Sequence, residues 1–471
     1  MGAKMKKMIR KLALITGAAL LAFAFAACPN DNGIEPTDLP SLREAWAPYF
    51  PLGNIIANRY RNDLGHSRRL QLLTHHFDLL TAENEMKPNV LRTGSAYPGG
   101  WNWAQAEALL NFAESNNVRF HGHTLAWHSQ SHQWLAQGVS PTVAEARLRN
   151  HIETVMTRFG NRVESWDVLN EVILSGGPGA SDSDIFGNTL GAGVGFPHTT
   201  TDADLPFNDP NWDWRKSLRT PANVPNETNW PAAINVPTNN ASCFVEIAFL
   251  EARRVADAND FDIVMYYNDY NLNIPRKRLG VYRMVKDINE RHRDALGGRN
   301  LIEAIGMQAH YWLPGTVGNQ NRTPPVAVCV FDVRDSFVRF ASLGVYVSIT
   351  ELDIFAGPRE MDQAVMYARL FNLFRSFSQA RRFPADAERG LDERSVLRRV
   401  SIWGVDDPSS WRNTYNPLLF NAGLNPKQAF WAVLDPNDFL GRYAPQYLGE
   451  FDNDCFDCPT WESACFRNAG N

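Results

Sequence analysis

Two glutamates, Glu171 and Glu351, each follow a run of apolar residues typical of a buried β-strand. In the stretches VESWDVLNE and VYVSITELD, the apolar pattern ends at a carboxylate with a polar neighbour, Asn170 in the first and Asp353 in the second. Carboxylates are rarely placed at the end of a buried strand unless partners or a function compensate. Two carboxylates that flank a cleft can hydrolyse a glycosidic bond, one as proton donor and the other as nucleophile or as base for water.

Similar polar residues end most of the other apolar segments, and these segments alternate with helical patterns. The predicted strands are 52–58, 77–84, 118–128, 163–171, 261–270, 304–311, 345–353 and 400–407, and the clearest helical patterns are 141–159, 244–259, 276–296 and 360–380. Strands alternating with helices predict an α/β fold, a parallel sheet closed into a (β/α)8 TIM barrel. The carboxyl ends of all strands would then meet on one face, so the polar residues converge on one cleft.

One long segment interrupts the alternation after the fourth predicted strand. Residues 175–242 are rich in Gly, Pro, Asn, Asp and Thr and carry Trp212, Trp214 and Trp230. A loop of that length is usually functional or mobile. It is either a self-packed insertion with its own aromatic core or a wall of the cleft that adds a sugar-stacking surface.

The first residues have the pattern of an export signal. Five basic residues within positions 4–11 precede an apolar run that ends on small residues before Cys28, so residues 1–27 are predicted to be a signal peptide. The stretch FAFAAC resembles the lipobox of bacterial lipoproteins, which implies a lipid on Cys28 and attachment to the membrane of the cell envelope. Phe25 departs from the Leu of that pattern, and ordinary cleavage with secretion is the alternative. Residues 28–41 then form a polar tether.

The charge of the chain argues against nucleic acid as a partner. Loss of residues 1–27 removes five positive charges and no acidic residue, so the formal net charge moves from -5 to about -10 (-5 minus 5). Phosphate recognition needs clustered Lys and Arg. No glycine-rich phosphate loop stands between a predicted strand and helix. A neutral substrate is compatible with this composition.

Beside Cys28, the chain contains Cys243, Cys329, Cys455, Cys458 and Cys465. The last three lie in a C-terminal appendage, residues 437–471, in the stretch CFDCPTWESAC. This stretch could be a metal knuckle or a local disulfide, and the absence of a nearby His favours the disulfide. The histidines of the strand-end segments lack the close spacing of metal ligands, so no metal is expected. No organic cofactor is expected either.

Taken together, the strand-end motifs resemble those of family 10 glycoside hydrolases, the retaining endo-β-1,4-xylanases. The motifs follow the family's order: TAENEMKP, HGHTLAWHSQ, WDVLNEV, YYNDYNL, GMQAHY, ITELDI and WGVDDPSSWR, with NPKQAFWAVLDP as the closing helix. The similarity covers residues 42–436, the predicted catalytic domain. It implies hydrolysis within xylan chains through a covalent glycosyl-enzyme intermediate.

Position by position, the resemblance implies a role for each matching residue. Glu171 corresponds to the acid/base and Glu351 to the nucleophile, with their carboxyl groups about 5 to 5.5 Å apart. His310 and Asp353 support the nucleophile, and Asn170 binds the 2-hydroxyl of the sugar. The implied substrate-binding residues are Glu83, Asn84, Lys87, His123, Trp127, Gln130, Asn268, Tyr270, Gln308, Trp403 and Trp411.

Two departures from the family pattern concern the sugars on the non-reducing, or glycone, side of the cleaved bond. Pro88 stands where the family often has Trp, and DDPSS replaces the commoner Thr-Asp-Ser-His-Ser before Trp411. They leave open an endo-glucanase acting on cellulosic or mixed-linkage glucan. A surface glycan-binding lipoprotein without activity is a further alternative, which the presence of both glutamates disfavours. The expected partners are xylan and xylo-oligosaccharides, bound by a monomer.

Overall fold

The computed structural model describes residues 35–132, 135, 139–173, 244–313, 328–385, 392–452 and 456. The predicted signal peptide, the start of the tether, the whole of the long insertion and every cysteine except Cys329 lie outside these residues. The predictions made for those segments therefore stay predictions.

Within the described residues, eight parallel strands form a closed barrel, which confirms the predicted (β/α)8 TIM-barrel fold. The strands are β1 (Leu52–Ile56), β2 (Leu79–Ala82), β3 (Arg119–Trp127), β4 (Ser165–Asn170), β5 (Val264–Asp269), β6 (Ala304–Met307), β7 (Tyr346–Phe355) and β8 (Leu397–Ile402). Each strand pairs with the next, and β8 also pairs with β1, which closes the barrel. A short strand, His310–Trp312, pairs with the end of β7. Two antiparallel ribbons are formed by Arg92–Thr93 with Gly100–Trp101 and by Arg382–Phe383 with Arg394–Ser395.

Helices occupy the segments between the strands. They span Leu42–Trp46, Ser67–His76, Pro88–Leu91, Ala104–Ser115, Pro141–Phe159, Phe244–Asn259, Pro275–His292, Val330–Ala341, Glu360–Ala380, Gln428–Leu434 and Pro436–Tyr443. The helix Pro141–Phe159 shows how local sequence sets the two ends of a helix. The Ser140 hydroxyl accepts the Val143 N–H as N-cap, Pro141 fits the first turn, and Gly160, with φ 52°, ends the helix.

The eighth strand differs from its prediction, 400–407, and ends at Ile402. The chain leaves the sheet there because Gly404 adopts φ +149° and bonds to a side chain instead of a neighbouring strand. Asn54 of β1 accepts the Gly404 N–H at 3.2 Å and donates to the Gly404 carbonyl at 3.1 Å. This turn starts the segment that carries Trp411.

The strands are apolar along their length because a parallel barrel buries both faces of each strand. All six residues of β4 are buried, and the ring of Trp166 is among the largest fully buried side chains. Gly122 of β3 leaves room for that ring, since a Cβ atom there would lie 2.2 Å from Trp166 Cε3. The close fit between β3 and β4 sets the direction in which both strands leave the core.

The carboxyl ends of the strands are irregular. The pairing register shifts between His123 and Ala126, between Asp167 and Leu169, and between Ile349 and Leu352. Such shifts at a barrel rim change the direction of the following side chains. Glu171 and Ala309, just beyond β4 and β6, adopt left-handed conformations with φ 57° and φ 68°. The strands therefore end in a shaped rim instead of running out as regular sheet.

The described part of the C-terminal segment packs against the barrel. Phe439 and Leu440 are buried, and Arg369 pairs with Glu450 at 2.7 Å. Cys329 is disulfide-bonded, and the remaining cysteines all lie outside the described residues. No helix in the described ranges is both long enough and apolar enough to cross a membrane.

The packing of β3 against β4 can be tested with a single methyl group. Gly122→Ala is expected to lower the free energy of unfolding by about 1–3 kcal/mol, because Trp166 and the backbone must shift to admit the methyl group. Gly441→Ala is the matched control, since nothing lies within 4 Å of its Cβ position. Thermal and urea unfolding of both variants measure the difference, and equal stability would contradict the close fit.

Candidate active site

The structure places all the predicted catalytic and sugar-binding residues at the carboxyl end of the barrel or in the segments that follow it. Asn170 is the last residue of β4, Asn268 lies near the end of β5, and Glu351 and Asp353 lie in the distal half of β7. Glu171 and Gln308 come directly after β4 and β6. Residues that are far apart in sequence are thus brought to one rim, as the predicted fold requires.

Three side-chain amides connect the two glutamates. The Asn170 Oδ1 atom accepts from Asn268 Nδ2 and from Gln308 Nε2, each at 3.1 Å. Asn268 Nδ2 also donates to Glu351 Oε1, and Gln308 Nε2 also donates to Glu171 Oε1, each at 2.8 Å. We call Asn170, Asn268 and Gln308 the amide bridge. Both carboxylates are therefore held against one hydrogen-bonded unit.

The orientation of each amide in the bridge is fixed by its neighbours. Asn268 Oδ1 accepts from the Thr350 hydroxyl at 2.7 Å, so its amino group must face Asn170 and Glu351. Because Asn170 Oδ1 receives two donors, its amino group faces the other way, 3.4 Å from Glu171 Oε1. This arrangement leaves an amide donor of Asn170 beside Glu171, where it can meet a substrate oxygen.

Glu351 has a cationic partner on its second oxygen. His310 Nε2 lies 3.1 Å from Glu351 Oε2, and His310 Nδ1 lies 2.8 Å from Asp353 Oδ1. Burial alone would lower the pKa of His310, but the charges and hydrogen bonds of Asp353 and Glu351 outweigh it and raise this pKa to about 10. His310 is therefore an imidazolium at neutral pH and donates to both carboxylates. Burial raises the pKa of Asp353, and the charge of His310 opposes that shift.

Glu171 has a different environment. Its Oε2 accepts from the indole N–H of Trp127 at 3.0 Å, and His128 Nε2 lies 4.0 Å away. Its side chain is 15% exposed, compared with 6% for Glu351. The left-handed backbone at Glu171 is costly for a residue with a Cβ atom, and such strain is typical of functional sites. Glu171 is the more accessible carboxylate, and Glu351 is the more enclosed one.

A second polar cluster lies beside the glutamates. Lys87 Nζ donates to Asn84 Oδ1 at 3.1 Å and to Gln130 Oε1 at 2.8 Å, and it lies 5.0 Å from the Trp127 ring centre. Burial lowers the pKa of Lys87, and the charges of nearby Glu83, Glu351 and Glu171 offset part of that shift. We call Glu83, Asn84, Lys87 and Gln130 the polar clamp. Its ammonium and amides can bind sugar hydroxyls.

Glu83 of the polar clamp is held by a charge network that the sequence did not predict. Arg61 Nη1 lies 3.1 Å from Glu83 Oε2 and donates to the Ser409 carbonyl at 2.9 Å. Arg61 also contacts Asp63, which Arg69 connects to Asp406 at 3.1 Å. Asp406 belongs to the DDPSS departure, so this departure is compensated by a basic partner.

Two further tryptophans, Trp403 and Trp411, lie in the same region. Trp403 is buried and packs edge-on against His123, with ring centres 5.6 Å apart. Trp411 is 47% exposed, and its indole N–H donates to Asp353 Oδ2 at 2.9 Å. Arg412 lies 4.1 Å over the Trp411 ring centre. An aromatic face with a fixed polar edge suits the apolar face and the hydroxyl rim of a sugar.

Two buried acidic residues beneath the rim were also missed. Asp167 Oδ2 lies 2.8 Å from His123 Nδ1, which orients that histidine. Asp269 pairs with Lys277 at 2.6 Å, and Lys277 Nζ lies 3.5 Å from the ring centre of Tyr270. Asp167 and Asp269 occur in the quoted motifs WDVLNEV and YYNDYNL, but a single sequence gives no sign of which partner each would meet. Both support predicted site residues from below.

The described residues contain no group of three or more His, Cys, Asp or Glu side chains arranged to hold a metal ion. The side chains gathered around Glu171 and Glu351 are an imidazolium, several amides and aromatic rings. A carboxylate pair in this setting is the apparatus of glycoside hydrolysis.

Comparison with known proteins agrees with this chemistry. The model of glycosyl hydrolase family 10 matches residues 41–198 and 238–436. The chain belongs to this family. Family membership confirms the resemblance drawn from the motifs, whereas the roles of individual residues stay predictions.

The matches to individual relatives have low sequence identity but cover most of this chain. The chain is 29% identical over 433 residues to endo-1,4-beta-xylanase C of Paenibacillus barcinonensis, covering 85% of this chain and 32% of that protein. It is 28% identical over 441 residues to a thermostable celloxylanase of Thermoclostridium stercorarium, covering 88% of this chain and 92% of that protein. A termite-gut family 10 xylanase with a bacterial Ig-like domain has a similar structure, with a TM-score of 0.63 and 26% identity over 88% of this chain and 81% of that one.

The charge of His310 predicts a pH-dependent contribution to stability. Because its pKa is raised from 6.5 in the unfolded chain to about 10, the contribution is complete below pH 6.5 and is lost as the pH rises to about 10. The stability difference between the wild type and His310→Gln should therefore shrink over this interval.

Urea unfolding at pH 6.5 and pH 10 would measure the difference. Lys286→Gln removes an exposed cation that is paired only at the surface, with Glu290, and serves as the control, with little change in stability expected at either pH. A stability difference for His310→Gln that stays constant from pH 6.5 to pH 10 would show that His310 is not held as an imidazolium.

Proposed function

We propose that this chain is a retaining endo-β-1,4-xylanase. The observation that carries the proposal is the amide bridge, which connects Glu351, bonded to Asn268, with Glu171, bonded to Gln308, through the shared acceptor Asn170. Membership of family 10 and the names of the relatives support xylan as the substrate. The chain spans only 32% of the length of the Paenibacillus barcinonensis xylanase. The activity is therefore proposed from the residues of this chain.

In the first step, a carboxylate oxygen of Glu351 attacks the anomeric carbon of the sugar. The bond between that carbon and the glycosidic oxygen breaks, and Glu171 gives its proton to the departing oxygen. A covalent glycosyl-enzyme ester and a shortened chain with a free hydroxyl result. The hydrogen bond from Asn268 to one oxygen of Glu351 and the contact of the His310 imidazolium with the other fix the direction of the attacking group.

In the second step, Glu171 acts as a base. It takes a proton from a water molecule, whose oxygen attacks the anomeric carbon and releases Glu351 as a carboxylate. Two displacements at the same carbon return its original configuration. The greater exposure of Glu171 suits this role, because its carboxyl group must meet first the leaving oxygen and then water.

The amide donor of Asn170 contributes to both steps. Its amino group is turned outward because its oxygen is occupied by Asn268 and Gln308, so it is available for the 2-hydroxyl of the reacting sugar. A hydrogen bond at that position strengthens as positive charge develops on the ring. The amide bridge therefore positions the carboxylates and presents a donor to the substrate.

Xylose preference would come from the aromatic side chains. Xylose lacks the hydroxymethyl group of glucose, so a ring that crowds that position selects against glucose. Trp403, which is buried beside His123, and Trp411, which is anchored to Asp353, are the rings placed to do this. Endo-glucanase activity is the second candidate, because one relative is named a celloxylanase and Pro88 removes a family Trp near the clamp.

The proposal can be tested by measuring the reducing ends released from glucuronoxylan and from carboxymethylcellulose. We expect cleavage of xylan, and we expect Glu351→Gln to lower kcat/KM by at least about 10³-fold, or ~4 kcal/mol, because the nucleophile is lost. Glu44→Gln changes an exposed glutamate on the helix Leu42–Trp46 and should leave the rate unchanged.

The other outcomes separate the alternatives. Cleavage of carboxymethylcellulose alone would replace the xylanase proposal with a glucanase. Binding of xylan without cleavage of either polymer would indicate a glycan-capturing protein. Xylan cleavage that survives Glu351→Gln would contradict the role of Glu351 and leave the substrate class standing.

A further inference from the structure

A cavity of about 460 Å³ lies beside the polar clamp. Its walls come from the segment after β1, which supplies Asn58 and Arg59, and from residues 89–94 after β2. Asn102, Gln105 and His132 complete the lining. We call this space the side cavity. Its volume falls within the range of small-molecule sites in proteins, roughly 300–1,000 Å³.

The side cavity and the polar clamp share a wall. Lys87 of the clamp is the N-cap residue of the helix Pro88–Leu91, and the second residue of that helix, Asn89, lines the side cavity. The Asn89 N–H donates to the carbonyl of Gln130, another clamp residue, at 3.0 Å. A substrate held by the clamp therefore passes next to the cavity, close enough for a branch of the same chain to enter it.

The lining of the side cavity is suited to hydroxyl groups. Four of its ten residues carry carboxamides, which both donate and accept hydrogen bonds. Asn58 Nδ2 donates to Gln105 Oε1 at 2.8 Å, whereas Asn58 Oδ1 is buried without a hydrogen-bond partner. The other carboxamides of the lining are the groups that a sugar hydroxyl entering the cavity would meet.

The lining is also basic. None of the ten lining residues is Asp or Glu, and two are arginines. The guanidinium of Arg92 donates to the Pro98 carbonyl and to Asn150 and lies 3.8 Å over the Trp101 ring centre, so it adds positive charge from within the wall. The lining thus carries positive charge, whereas the whole chain has a formal net charge of -5.

Arg59 is the cation available to a ligand. It is exposed, its guanidinium lies 5.2 Å over the ring of Tyr60, and no carboxylate of the described residues forms an ion pair with it. Glu85, from the segment after β2, is occupied, since its carboxylate accepts the backbone N–H groups of Asn58 and Arg59, each at 2.7 Å. Tyr60 is 67% exposed, more than any other large apolar side chain in the described ranges.

We propose that the side cavity binds a hexuronic acid branch of xylan, with the carboxylate of the branch paired to Arg59. The proposal rests on the proposed function, because xylan supplies the branch. The main chain of xylan is neutral and would gain nothing from an unpaired guanidinium, whereas a uronic acid offers both a carboxylate and several hydroxyls. The carboxamides take the hydroxyls, and the exposed ring of Tyr60 offers a stacking face beside Arg59.

Binding of two matched ligands to the Glu351→Gln protein tests the proposal. One ligand is a xylo-oligosaccharide bearing a glucuronic acid branch, and the other is the same molecule with its carboxyl group reduced to an alcohol. Calorimetry should show about fivefold tighter binding of the acid at low ionic strength, the effect of one partly exposed ion pair. Added salt should weaken that preference.

Substitutions then locate the ion pair. Arg59→Gln in the same protein should bring the ratio of the two affinities to about one, while Arg119→Gln should leave it unchanged. Arg119 is the matched control because it is an exposed arginine at the start of β3, at the opposite end of the barrel. Equal binding of the two ligands, or an acid preference that survives Arg59→Gln, would overturn the proposal.

Hydrolysis of unbranched xylan by the wild-type protein separates this proposal from the proposed function. If unbranched xylan is cleaved and the acid preference is absent, the uronate site is wrong and the xylanase assignment stands. If the Arg59-dependent preference is present and unbranched xylan is not cleaved, the site stands as a glycan-binding site and the catalytic assignment fails.

Discussion

The arrangement at the barrel rim depends on one shared hydrogen-bond acceptor, the side-chain oxygen of Asn170. It receives Asn268 and Gln308 at the same time, and each of these donors uses its second N–H for a different glutamate. A buried amide oxygen with two donors has no freedom to turn, because either donor left unpaired would cost about 1–3 kcal/mol. The relative placement of Glu171 and Glu351 is therefore set by hydrogen bonding between strands β4, β5 and β6 and by closure of the barrel.

The two carboxylates nevertheless have different surroundings. Glu351 is enclosed and faces the His310 imidazolium, whose charge is maintained by Asp353, which in turn is bonded to Trp411. Glu171 itself adopts a strained, left-handed backbone conformation just after β4 and is more exposed. One fixed group and one accessible group are what a double displacement requires. The difference comes from burial and neighbouring charge, since the two side chains are chemically the same.

Much of the fold follows from local sequence. The eight strands were predicted because parallel barrel strands are continuous apolar runs, and the helices 141–159, 244–259 and 360–380 coincide with the observed bounds. The strand-end motifs also indicated which residues would gather at the rim. The end of β8 was misplaced because Asn54 bonds to the backbone of Gly404, an interaction between residues 350 positions apart.

The ion pairs that support the site could not be predicted from the sequence, for the same reason. Arg61 reaches Glu83, and Lys277 reaches Asp269, only because the barrel brings separate loops and strands together. The raised pKa of His310 depends on burial combined with two particular carboxylates, and the side cavity depends on the conformations of the loops after β1 and β2. A single sequence identifies the residue types at the rim, but their partners and the spaces between them require the folded chain.

The most direct test of the mechanism is to trap its covalent intermediate. A 2-deoxy-2-fluoro xylobioside with an activated leaving group slows the second displacement, and peptide mass analysis then locates the attached sugar. The arrangement at the rim predicts one sugar adduct, on Glu351. An adduct on Glu171, or hydrolysis of the reagent with inverted configuration and no adduct, would contradict the assignment of Glu351 as the nucleophile of a retaining enzyme.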